Sequence, residues 1–139
     1  MKVKPLTIKS FLPGIAWFFI ILVLICMPGE DIPTPSGWLA WLNLIRIDKI
    51  VHMGIFGLLA LFFIFPIAKS NLSPQLKWHY IVRICLATCI WGLTTELIQK
   101  YFVPSRNFDL VDWAADSIGA IAALIFSRKF FAKRLKHEY

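Results

Sequence analysis

Apolar residues run along this chain in four long blocks separated by short polar stretches. The blocks cover residues 11–27, 49–68, 79–101 and 110–131. Each is close to the ~20 apolar residues that a helix needs to cross a bilayer. The first is interrupted only by Pro13 and Gly14. The second opens at Asp48, read as an N-cap, and holds Pro66 near its end, where a kink of the last turn is expected. The third carries Arg83 one turn in, able to snorkel back to the interface. Residues 28–37 (PGEDIPTPSG) read as a loop. Residues 38–47 (WLAWLNLIRI) span only about 15 Å as a helix, half a bilayer core. Trp38 and Trp41 make that segment an interfacial element along the headgroups. The pattern therefore predicts an all-α membrane protein with four transmembrane helices, forming one domain over residues 1–139.

Composition agrees. The chain is 58% hydrophobic and only 17% charged, whereas soluble domains run nearer a quarter charged. An aromatic content of 15% excludes a disordered tail. The basic start (Lys2, Lys4, Lys9) followed by an apolar run resembles a signal peptide, but no small-x-small cleavage pattern follows. Ile25 before Cys26 likewise argues against lipid modification. The three cysteines, Cys26, Cys85 and Cys89, all sit in apolar runs and define no disulfide framework.

Charge sets the orientation. With the N-terminus inside, only Arg46, Lys49, Lys100 and Arg106 of the fifteen Lys and Arg fall outside. The positive-inside rule thus predicts N-in, C-in. The net charge of +7 follows this topology and implies no nucleic-acid partner. The acids divide the other way, and among them only Glu138 falls inside.

Ionisable groups inside the blocks are the informative residues, because charge at that depth is costly and faces a protein interior or a water-filled cavity. Arg83 to Glu96 and Asp116 to Lys129 are each 13 residues, roughly 20 Å of helix. His52 to Lys69 is 17 residues, roughly 25 Å. An imidazole and two carboxylates therefore reach one level, the outer edge of the hydrocarbon. Gly92, Glu96 and Gln99 share one helix face; Asp109, Asp112, Asp116, Ala120 and Ala123 share another, polar above and small below. Small residues permit close helix approach, so this stripe faces the bundle.

The candidate pocket is Asp48, Lys49, His52, Glu96, Gln99, Arg106, Asp112 and Asp116. Structural roles compete at each position. Asp48 and Asp109 suit N-caps and Asp112 a macrodipole acid. Lys49 suits an interfacial anchor and Arg106 a counter-ion. Glu96 and Asp116 suit a buried pair that holds helices together.

Asp48-Lys49-x-x-His52, then Glu96-x-x-Gln99 with Pro104-x-Arg106, then Asp112 and Gly119, resembles the VanZ-like family over roughly residues 15–127. The resemblance implies a small integral membrane protein of the bacterial cytoplasmic membrane. The founding member is associated with resistance to the lipid-tailed glycopeptide teicoplanin. Phe56 and Asp116 stand where family members often carry Tyr and Asn.

Three functions follow. The first is binding of an amphiphile's head group, such as that of a lipid-linked envelope precursor, with a divalent metal as the one conceivable cofactor. The second is a non-catalytic structural or regulatory role beside envelope enzymes. The third is a proton-coupled carrier, which four helices would build only as an oligomer. H-E-x-x-H and G-x-S-x-G are absent, which lowers the case for an intramembrane hydrolase or transferase. Membrane lipids are the expected surroundings.

Overall fold

The computed structural model describes residues 5–28, 36–38 and 47–135, with side chains up to residue 130. A single 3-10 turn, Ile8–Phe11, leads into α1, Leu12–Ile25. Then follow α2, Ile47–Ala68, α3, Pro74–Phe102, and α4, Leu110–Leu135. No strand occurs among the described residues. Among the described residues four helices, the first counted with its leading turn, are long and apolar enough to cross a membrane. Most of the predicted interfacial segment (residues 39–46), together with Glu30, Asp31 and Arg46, lies outside the described residues.

The helix boundaries differ from the pattern in instructive ways. α3 starts five residues before the expected 79. The cause is local: Ser73 caps the helix by accepting from the Leu76 N–H at 3.4 Å, and Pro74 takes the first turn. Proline there loses no bond, because first-turn N–H groups have no intrahelical partner. Asp48 is not an N-cap. α2 already includes Ile47, so Asp48 sits inside the first turn, where a carboxylate meets the positive end of the macrodipole. α2 runs on through Pro66 to Ala68.

The helices meet in two apolar clusters. Ile64 and Ile67 of α2, Ile81 and Cys85 of α3, and Ala120 and Ala123 of α4 form one core cluster. Cys85 is thus a packing residue, with Cys89 partly buried against the same cluster. Ile21 and Ile25 of α1 join Phe56 and Leu59 of α2 in a second. α1 is tied in by rings: Phe18 lies 4.5 Å from Trp91 and Phe11 lies 6.1 Å from Phe63, centre to centre. Its Trp17 indole also donates to the Ile55 carbonyl at 3.0 Å. Large apolar side chains such as Val23, Ile90, Leu86 and Phe126 point outward, a surface that suits lipid.

The tightest contact is between α2 and α4. A Cβ placed on Gly119 would lie 2.1 Å from the Met53 carbonyl oxygen and 3.0 Å from the Gly57 nitrogen. A Cβ on Gly57 would in turn meet the Gly119 carbonyl oxygen at 3.2 Å. Helices in lipid gain association from such close backbone approach. Gly54, one turn away, has nothing within 4 Å.

This contrast yields a paired prediction. Gly119→Ala pushes α2 and α4 apart and costs roughly 3 kcal/mol, as overpacking does. Gly54→Ala is tolerated or stabilising, since alanine is the better helix former by about 1 kcal/mol. Melting curves of the two variants in detergent check the ordering; equal curves would remove the assigned role of Gly119.

Candidate functional site

The beginnings of α2 and α4 and the end of α3 meet at one end of the bundle. The Gly57–Gly119 contact sets the register that brings their polar side chains together. Two linked clusters result.

The first surrounds Lys49. Its ammonium is 3.1 Å from Asp48 and 2.8 Å from Asp109, and it also donates to Asp112. The lysine side chain is only 15% exposed. It is therefore a cross-link between α2 and α4, not a loose interfacial anchor. Asp109 performs a second task, because its other oxygen accepts from the Val111 N–H at 2.8 Å and caps α4. Lys49 beside it, and then the Val111 N–H, hold the Asp109 carboxyl below the usual carboxylate range.

The second cluster lies one turn deeper. His52 Nδ1 is 3.0 Å from Asp116 Oδ1, while its Nε2 faces Asp112 Oδ2 at 3.9 Å. Glu96 Oε2 accepts from the Asp109 N–H at 3.0 Å. Glu96 and Asp116 are buried, at 1% and 0% exposure. Their remaining oxygens, Glu96 Oε1 and Asp116 Oδ2, have no hydrogen-bond partner among the described residues. One ligand atom each from His52, Glu96 and Asp116 lie within 4.8 Å of one another. Gly92 makes this possible: a Cβ there would sit 3.0 Å from Asp116 Cβ and 3.1 Å from its Oδ2.

Gln99 and Arg106 occupy a third position. With His52 they border a cavity of about 300 Å³ whose other walls are apolar, including Ile21 and Ile25 of α1 and Phe56 of α2. The α3–α4 connection aims Arg106. Its N–H bonds to the Val103 carbonyl at 3.3 Å, Pro104 follows Val103, and Ser105 has φ 57°. A proline followed by a residue of positive φ marks a type II turn, a position that glycine or asparagine fills more easily than serine. The Arg106 Nε is buried without a partner among the described residues, and Arg106 pairs with none of the described carboxylates. The expected counter-ion of the acids is Lys49 instead.

All eight residues expected at the pocket thus fall at this end of the bundle. Two contributors had no signal in the polar pattern. One is the Asp109 backbone N–H that orients Glu96. The other is α1, which supplies a wall through purely apolar side chains.

No protein-family model matches the chain, and no curated protein or solved structure matches it either.

Two predictions follow from the Lys49 cluster. Lys49→Met leaves Asp112 partly buried without its cation. The expected loss is about 2 kcal/mol, between the values for exposed and buried pairs; an unchanged melting point would contradict the cross-link. The second concerns pH. A depressed native pKa means that the Asp109 charge stabilises the fold above the usual carboxylate range, and that this gain disappears as the pH falls through the native value. Asp109→Asn, which retains a capping oxygen, is therefore expected to melt below wild type at neutral pH. The two curves should converge in acid, and a gap independent of pH would refute the assignment.

Proposed function

We propose that this chain is a VanZ-like protein of the bacterial cytoplasmic membrane. In this reading both termini face the cytoplasm, and the polar end of the bundle lies at the outer leaflet. There it holds the head group of an amphiphile, with the apolar part lodged against α1 and α2. The observation that carries the reading is Arg106. Its Nε is buried with no partner among the described residues, and it lines an apolar cavity together with Gln99 and His52. A buried guanidinium donor without an acceptor is costly, and a phosphate or carboxylate oxygen is its natural partner. An apolar cavity with a few convergent polar groups is the usual form of a small-molecule site. A lipid-linked envelope precursor has both parts, which accords with the teicoplanin association of the family that the sequence resembles.

The Lys49 cluster favours a second reading, in which the polar residues serve the fold and the chain acts as a structural or regulatory partner of envelope enzymes. Neutralising structural residues lowers stability, whereas neutralising binding residues spares or raises it.

The test measures both. Purified protein is incubated with a polyprenyl phosphate and examined by native mass spectrometry and thermal melting. Arg106→Ala is expected to weaken retention at least tenfold, about 1.4 kcal/mol, with its melting point within a degree or two of wild type. Equal retention in wild type and variant would sink the head-group reading; a large loss of stability alone would favour the structural one. Topology is checked separately, in a background lacking the native cysteines. Ser105→Cys should react with a membrane-impermeant maleimide in intact cells, whereas Asn71→Cys should react only after permeabilisation.

A further inference from the structure

The buried cluster of His52, Glu96 and Asp116 does something that the cavity and Arg106 do not require. It joins three ligand-type side chains from three different helices, two of them fully enclosed. Each carboxylate keeps one oxygen with no partner among the described residues. The Lys49 charge does not compensate them, because it is taken up by Asp48, Asp109 and Asp112. Two enclosed carboxylates with one imidazole, which bonds Asp116 alone, form an arrangement that burial alone would disfavour. A dication would balance both charges and occupy both free oxygens.

We infer that His52, Glu96 and Asp116 form a binding site for one divalent transition-metal ion. The donor set decides the class. One imidazole and two carboxylates suit ions such as zinc or manganese, whereas magnesium prefers an all-oxygen shell rich in water. Three protein ligands are also the complement of zinc sites that keep a coordination position open. Donor atoms around a tetrahedral zinc stand roughly 3.4 Å apart, given metal–ligand bonds near 2.1 Å. One ligand atom from each of the three residues already lies within 4.8 Å of the others, so side-chain rotation is enough to close the site.

The surroundings match a metal's outer shell. A ligating histidine normally turns its other ring nitrogen toward a carboxylate. Here Nδ1 faces Asp116, and Nε2 faces Asp112 at 3.9 Å. Lys49 in turn fixes Asp112. The Asp109 N–H holds Glu96 Oε2 in place, which leaves Oε1 as the available ligand. Gly92 gives Asp116 its room. The site needs no amphiphile and stands apart from the head-group reading, although His52 borders the cavity as well.

The test uses full-length protein in detergent, stripped of metal with a chelator and of lipid by extensive washing. Titration with Co²⁺, a zinc surrogate with visible d–d absorption, should saturate at one equivalent per chain, and Zn²⁺ should displace it. Mg²⁺ in large excess should not. Glu96→Gln and Asp116→Asn should each weaken Co²⁺ binding at least tenfold, whereas His79→Gln, exposed near the opposite end of α3, should leave it unchanged. Wild-type Co²⁺ titration showing no saturable band overturns the site, and so does an affinity unchanged from wild type in both Glu96→Gln and Asp116→Asn. Should either variant fail to fold, the wild type decides through its melting point. An ion that binds only the native state must raise it by several degrees at a hundredfold excess over Kd, and no rise also overturns the site. Because these readouts omit the polyprenyl phosphate, failure of the metal site leaves the head-group reading standing, and the reverse holds too.

Discussion

Everything at the polar end of this bundle depends on how closely α2 and α4 approach. The Gly57–Gly119 contact lets the two backbones touch, with no room for a Cβ on Gly119. That spacing fixes which side chains face each other on the turns above. Lys49 meets Asp109 and Asp112, and His52 meets Asp116, because they lie along the same two helices on the same side of the glycines. With side chains at the crossing, these hydrogen bonds would lengthen beyond their useful range. In lipid the association cannot come from apolar exclusion, since the tails are as apolar as leucine. Close packing supplies it, and the charges follow.

The two polar clusters then divide the electrostatic burden. The shallow one is closed: Lys49 satisfies three acids, of which Asp48 and Asp109 retain contact with solvent. The deep one is open, with its carboxylates enclosed and each short of a partner. Low polarity strengthens a completed network and penalises an incomplete one. The closed cluster is therefore complete within the fold, and the open one is not. Arg106, on the cavity wall, is incomplete in the complementary sense, as a donor without an acceptor.

Much of this was legible before any coordinates. Helical rise alone puts His52, Glu96 and Asp116 at one depth, because a membrane gives depth a scale that soluble proteins lack. Face periodicity placed Gly92 beside Glu96 and small residues below Asp116, and the helices do pack there. The early start of α3 has a plain local signal that the apolar pattern does not carry, since Ser73-Pro74 is a cap followed by a first-turn proline. Asp48 reads as a cap in the sequence because an acid before an apolar run is ambiguous between a cap and a first-turn residue. Other features carry no residue-level signal. The Asp109 N–H that holds Glu96 is backbone, and the α1 wall of the cavity is built from side chains like those that face lipid.

That wall gives the bundle a mechanical asymmetry. Parting α2 from α4 would leave Lys49 without Asp109 and Asp112, and His52 without Asp116. Parting α1 from α2 would expose apolar side chains already compatible with lipid, and would break the single indole bond from Trp17. The bilayer resists these two separations very unequally. The α1–α2 seam is thus the compliant one, and it runs along the cavity. A molecule dissolved in the membrane plane would meet a hinged panel on one side and a bolted frame on the other.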